Sequence, residues 1–101
     1  MKDRIIEFIK DFENDLANVF ITSNDYDYRK YCLGQKDVCL KCRTIINNND
    51  NFKDKIIELK KEFETSDEEQ KMSSIVLYNN GANNMINYII KEIDKYERKN
   101  I

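Results

Sequence analysis

Three cysteines lie close together in the second quarter of the chain. Cys39 and Cys42 form a C-x2-C pair, and Cys32 precedes Cys39 by seven residues. Zinc sites commonly use two such pairs, or one pair with histidines, and iron–sulfur clusters also need four ligands. The chain has no histidine and no fourth cysteine. A metal site would need a carboxylate, a water molecule or a second chain across a dimer, and we predict no metal and no cofactor.

The position of the cysteine pair also bears on redox chemistry. A reactive C-x-x-C pair normally lies at the N-terminus of a helix, where the helix dipole lowers the thiol pKa. Placed on a helix, the three cysteines share one side within about 100° of arc, and the pair falls in mid-helix. We interpret them as small apolar core side chains. A cysteine-dependent metal or redox protein is the second alternative.

Other arrangements that carry out catalysis are missing from the sequence. Without histidine, the commonest general base and all Ser-His and Cys-His pairs are absent. There is neither a glycine-rich phosphate loop nor a dinucleotide-binding fingerprint. Adjacent carboxylates such as Glu68 and Glu69 stand where helix caps and charged faces place them. We therefore predict no catalytic residues and a protein that is not an enzyme.

Helices are the elements that must position these residues. The 101-residue chain has no proline and two glycines, Gly34 and Gly81, and 41% of its residues are apolar. Turn-rich β folds need glycine and proline between their strands, and a chain of this length supports one core. We predict a single all-α domain, a compact antiparallel bundle of four helices at residues 3–20, 25–47, 51–64 and 67–98.

Apolar residues recur at three- and four-residue spacing in each segment, as on one face of a helix. The first stripe is Ile5, Phe8, Ile9, Phe12, Leu16, Val19 and Phe20. The second, interrupted only by Gln35 and keeping its phase across Gly34, is Tyr28, Tyr31, Cys32, Val38, Cys39, Cys42, Ile45 and Ile46. The third is Phe52, Ile56, Leu59 and Phe63.

The last helix is predicted to continue through the stretch YNNGANN at residues 78–84. Asparagine and glycine are common where helices end, so a kink or break at residues 79–82, giving five helices, is the alternative. Continuity is favoured because the apolar stripe keeps its phase; its members are Met72, Ile75, Val76, Ala82, Ile86, Ile89, Ile90, Ile93 and Tyr96. A continuous helix places Asn79 and Asn83 within that stripe, where each side chain needs a hydrogen-bond partner.

Charge is unevenly distributed along the chain. Residues 29–61 carry nine bases and four acids, a net charge of +5, whereas the whole chain has a net charge of −2. A basic middle between acidic ends predicts ion pairs within the fold. It also permits nucleic-acid binding, because aromatic residues next to cations, as in DYRKY at 27–31, can stack on bases. The negative net charge makes this the first alternative rather than the preferred function.

A second apolar strip runs along the other side of the second helix. Tyr26, Leu33 and Leu40 repeat every seven residues there. Three bases border them: Arg29, Lys36 and Arg43. Such a strip is either a second buried contact in the bundle or a surface for a partner. Because tyrosine, leucine and arginine are typical of interface anchors, we predict that these six residues, called the outer strip below, bind a protein or a second copy of the chain.

The sequence contains no stretch typical of a membrane span or a secretory signal. No apolar run approaches the roughly 18 residues that a span requires, and the first residues, MKDRIIEFIKDFEND, carry acids within their apolar stretch. With an odd number of cysteines, this predicts a cytoplasmic protein without membrane contact. The small size of the chain and its abundance of Ile, Lys and Asn, which suits a coding sequence rich in A and T, are typical of an accessory or inhibitor protein of a phage or another mobile element. Such a protein would act in the host cytosol.

Overall fold

The computed structural model describes residues 1–22, 24–66 and 73–99, which form four α-helices and no strand. Helix α1 spans Lys2–Thr22, α2 spans Tyr26–Asn48, α3 spans Phe52–Leu59 and α4 spans Ser73–Lys99. A 3₁₀ turn, Lys60–Phe63, continues α3. The predicted all-α bundle is confirmed. Residues 67–72, assigned from the sequence to the start of the last helix, lie outside the described residues, as does the side chain of Phe20.

Helix α2 begins at a cap that its own sequence supplies. One carboxylate oxygen of Asp25 accepts hydrogen bonds from the backbone N–H groups of Asp27, at 3.0 Å, and Tyr28, at 3.2 Å. These N–H groups have no partner within the helix, so the carboxylate stabilises its first turn. The cap fixes where α2 starts.

The core is the set of inward stripes of all four helices. Its buried apolar residues are Ile5, Ile9, Leu16, Cys32, Val38, Cys39, Cys42, Ile46, Phe52, Ile56, Leu59, Phe63, Ala82, Met85, Ile86, Ile89 and Ile93. All but Met85 belong to stripes predicted from the sequence. Of the second stripe, Tyr31 and Ile45 are partly buried. Tyr28 is exposed, with 48% of its surface accessible, because it lies in the first turn of α2 beside an open recess.

Helices α2 and α4 form the most extensive contact in the bundle and run in opposite directions. The hydroxyl of Tyr31 hydrogen-bonds Asn84, while Asp37, further along α2, hydrogen-bonds Tyr78, earlier in α4. Residue numbers therefore rise along one helix as they fall along the other. This confirms the antiparallel arrangement for the central pair.

The two glycines of the chain lie where α2 crosses α4. A Cβ atom placed on Gly34 would be 2.0 Å from the carbonyl oxygen of Tyr78, and one on Gly81 would be 2.0 Å from the carbonyl oxygen of Tyr31. Both distances are far shorter than van der Waals contact, so the backbones touch at this crossing. Gly34 and Gly81 are needed for packing between helices, a role that the spacing of residues within one helix does not reveal.

Helix α4 is continuous through residues 78–84, as predicted. Both asparagines within its inward stripe have hydrogen-bond partners. Asn79 Nδ2 donates to Thr65 Oγ1 at 3.1 Å, and Asn83 Nδ2 donates to the carbonyl oxygen of Phe63 at 3.1 Å. They hold the end of the 3₁₀ turn and the residues after it against α4.

Ion pairs join the basic middle of the chain to its acidic ends. They are Arg43–Glu13, Lys41–Glu62, Lys53–Asp94 and Lys53–Glu97. The predicted internal pairing is thus present for Lys41, Arg43 and Lys53. Among the described helices, none combines the length and the apolar character that a membrane-spanning segment requires.

Candidate functional site on the outer face of α2

The outer strip lies on the surface of α2 that faces away from the core. Tyr26 exposes 64% of its surface and Leu40 exposes 57%, while Leu33 between them is half-buried. The interpretation of the strip as a second buried contact therefore does not hold for Tyr26 and Leu40. Exposed leucine and tyrosine side chains on one line of a helix form an apolar surface without cover from the described residues.

The N-terminal end of the strip contains a shallow recess of about 230 Å³. It is lined by Tyr26, Arg29, Lys30 and Leu33. The ammonium group of Lys30 lies 5.4 Å from the centre of the Tyr26 ring, a distance at which a cation is attracted to the face of an aromatic ring. Lys30 was missed from the sequence, although its spacing, four residues after Tyr26 and three before Leu33, places it on this face.

Arg43, at the other end of the strip, is engaged within the fold. Its Nη2 donates to Glu13 Oε2 at 3.1 Å, and its Nε lies 2.6 Å from Glu13 Oε1. Both side chains are more than two-thirds buried, with exposures of 28% and 22%. A charge-assisted hydrogen bond between guanidinium and carboxylate is stronger than one between neutral groups. Arg43 thus connects α2 to α1 and borders the strip without presenting its charge to solvent.

Several cations border the apolar residues of the strip. Arg29 and Lys36 are exposed and Lys30 is half-buried. One acid of α2, Asp37, accepts a hydrogen bond from the Tyr78 hydroxyl. Burial, followed by the hydrogen bond to Asp37, raises the pKa of Tyr78, so the phenol remains a donor to still higher pH than an ordinary tyrosine. Asp37 is thereby held toward α4, and three cations border the apolar residues.

All three cysteines are buried in the core. Burial raises the pKa of Cys32, and it raises those of Cys39 and Cys42 to about 12. At neutral pH these groups are thiols, whereas nucleophilic attack and metal binding need thiolates. Within residues 1–22, 24–66 and 73–99, no three His, Cys, Asp or Glu side chains are grouped so as to hold a metal ion. The burial supports the interpretation of the cysteines as core residues.

Comparison of the chain with protein-family models, with curated proteins and with solved structures found no match. Bundles of helices serve many unrelated functions, so the bundle by itself does not indicate one. The outer strip, with its apolar side chains and its cationic border, is the feature from which a function can be inferred.

Proposed function

We propose that the protein is a non-enzymatic binding protein whose outer strip contacts another protein. The observation that carries this proposal is the exposure of Tyr26 and Leu40 on one line with the half-buried Leu33. At 1.5 Å per residue, the strip from Tyr26 to Leu40 is about 21 Å long. That length is comparable with the width of a standard interface, which buries about 800 Å² on each partner.

The border of the strip indicates the chemistry of the partner. Arg29, Lys30 and Lys36 place positive charge beside the apolar residues, so a complementary surface offers an apolar centre with an acidic rim. Two copies of the chain packed strip against strip would place these cations opposite one another, which is unfavourable. The charge pattern therefore favours a different, acidic protein over a second copy.

The experiment compares variants that remove exposed apolar side chains at two places. Tagged wild-type protein, the double variant Tyr26→Ala with Leu40→Asp, and the control Ile57→Asp are used to capture proteins from lysate of the native host, with and without nuclease. Ile57 is a matched control because it is an exposed aliphatic residue on α3. We expect the strip variant to lose a nuclease-resistant partner that the control retains. Equal capture by all three would place the interface elsewhere.

Nucleic-acid binding is the second candidate, and the observation in its favour is the contact between Lys30 and the ring of Tyr26 beside Arg29. Aromatic rings and cations together form surfaces for single strands. Against it, three bases of the basic middle are paired with acids. This candidate predicts capture that is abolished by nuclease and an affinity that falls steeply with salt.

The biological setting remains part of the proposal. Small size, with 101 residues, and the abundance of Ile, Lys and Asn support an accessory or inhibitor protein of a phage or another mobile element. Such a protein would meet its partner in the host cytoplasm. An inhibitor of this kind acts by occupying a surface that its partner needs, which requires no catalytic residue.

A further inference from the structure

A different recess lies where the first turns of α2 meet α4. It has a volume of about 330 Å³ and is lined by Asp25, Asp27, Tyr28, Tyr31 and Leu77. Leu77 belongs to α4 and the other four belong to α2 or its cap. Two phenol rings and a leucine side chain make its wall mainly apolar, and two carboxylates are among its lining groups. The recess shares no residue with the outer strip.

The crossing of the two glycines holds this recess in shape. The backbone carbonyl oxygen of Tyr31 lies so close to Gly81 that a Cβ atom placed on this glycine would be only 2.0 Å from the oxygen. The hydroxyl of the same tyrosine accepts a hydrogen bond from the side-chain amide of Asn84. Tyr31 is thus attached to α4 through both its main chain and its side chain. A recess that is already formed loses little conformational entropy when it is filled.

The charge of the recess is negative. Asp25 is held in place as the cap of α2, since one of its oxygens accepts from two backbone N–H groups. The carboxylate of Asp27 forms no hydrogen bond or ion pair with any residue in the described ranges. The N-terminus of a helix contributes about half a positive charge, which the full negative charge of the Asp27 carboxylate outweighs. A cation is therefore favoured over an anion.

We propose that this recess binds one cationic side chain, arginine or lysine, of a partner protein. The cationic group packs against the rings of Tyr28 and Tyr31, because aromatic faces attract cations, and Asp27 supplies the opposite charge. The aliphatic part of the same side chain covers Leu77. This proposal does not depend on the outer strip, because the cations that border the strip would attract an acidic group of a partner rather than a cationic one.

The test uses small compounds that reproduce the two side chains. Isotopically labelled protein is titrated with N-acetyl-arginine methylamide and with N-acetyl-lysine methylamide, and amide shifts are followed by NMR. The neutral analogue N-acetyl-citrulline methylamide has nearly the shape of the arginine compound without its charge. We expect the cationic compounds to shift residues 25–31 and 77 with saturation in the millimolar range, typical of a single side-chain contact. The citrulline compound should produce no saturating shift.

Variants separate the charge of the recess from its shape. Asp27→Asn keeps the size of the side chain and leaves the Asp25 cap intact, and it should weaken binding up to about fivefold, as expected for a partly exposed ion pair. Tyr28→Leu should weaken it also, through loss of the aromatic face. Glu58→Gln, which neutralises an exposed acid of α3, serves as the control and should leave the affinity unchanged.

Two results would overturn the proposal. One is the absence of saturating shifts at these residues with either cationic compound. The other is equal affinity for the citrulline compound or for the Asp27→Asn protein, since the charge would then play no part. The outer-strip variant Leu40→Asp should bind the compounds like wild type, so failure of this proposal and failure of the proposed function are distinguishable.

Discussion

Replacing either glycine with alanine should destabilise this all-helical protein, although alanine is the better helix former. Within one exposed helix, Gly→Ala would stabilise by about 1 kcal/mol. At Gly34 and Gly81, however, the added Cβ atom would lie 2.0 Å from a carbonyl oxygen of the facing helix. That oxygen belongs to the backbone of a helix and cannot rotate away, so α2 and α4 must separate.

The size of the effect follows from that distance. Carbon and oxygen atoms of packed helices approach no closer than about 3.3 Å, so the helices must separate by more than 1 Å, roughly the difference between the two distances. Overpacking of this kind costs about 3 kcal/mol or more when the surroundings cannot adjust. After the gain in helix propensity, the net loss is about 2 kcal/mol. For a domain of this size, that lowers the melting temperature by about 10 °C.

Thermal and urea unfolding followed by circular dichroism would measure the loss. Asn80→Ala is the matched control, because Asn80 precedes Gly81 in the same helix and is exposed; it should leave stability unchanged or raise it slightly. The double variant Gly34→Ala with Gly81→Ala should cost less than the sum of the single changes, since one separation of the helices relieves both contacts. If either glycine variant proved as stable as the control, the close crossing of α2 and α4 would be refuted.

Three further predictions concern the core. Asn79→Ala leaves Thr65 Oγ1 without its donor and should lower the free energy of unfolding, measured in urea, by about 1 kcal/mol. The control Asn87→Ala, at an exposed position, should leave it unchanged. Equal effects of the two variants would show that the hydrogen bond does not contribute to stability. Because their pKa values are about 12, the Cys39 and Cys42 thiols should react with Ellman's reagent (DTNB) far more slowly in the folded protein than in urea, and fast reaction of the folded chain would contradict their burial. Since folding raises both pKa values from 9.0, the thiols of the folded state keep their protons to a higher pH than those of the unfolded state. Stability should therefore fall between pH 9 and 12 by several kcal/mol, about 1.4 kcal/mol per pKa unit and cysteine, and replacing both cysteines with alanine should flatten that decline.

Much of the fold could be predicted because each helix carries its own apolar stripe. The period and phase of the stripes predicted the ends of α1, of α2 and of α3 with its 3₁₀ turn to within a few residues. In the last helix, the unbroken stripe correctly indicated continuity, although asparagine and glycine at residues 78–84 are typical of a helix end. The crossing at Gly34 and Gly81 could not be predicted in this way. It depends on which residues of two distant segments face each other, and helical periodicity describes only one segment at a time.

The candidate site was predicted in outline, with differences that also have physical reasons. The seven-residue repeat placed Tyr26 and Leu40 opposite the core, but it could not show whether another helix covers that side. Arg43 was predicted as a contact for a partner, yet its guanidinium pairs with Glu13 of α1, a residue 30 positions away along the chain. Tyr28 has the phase of the core stripe and is nevertheless exposed, since a stripe predicts burial only where a neighbouring helix covers it.

Site-specific photocrosslinking would test the proposed protein contact most directly. A photoreactive benzoylphenylalanine is placed at position 40 in the outer strip or, as the control, at position 57 on α3, and each protein is irradiated in nuclease-treated lysate of the native host. Both positions carry exposed aliphatic residues, so their substitution should not disturb the core. The proposed function predicts a discrete protein adduct from position 40 and none from position 57. No adduct from position 40, or the same adduct from both positions, would contradict it.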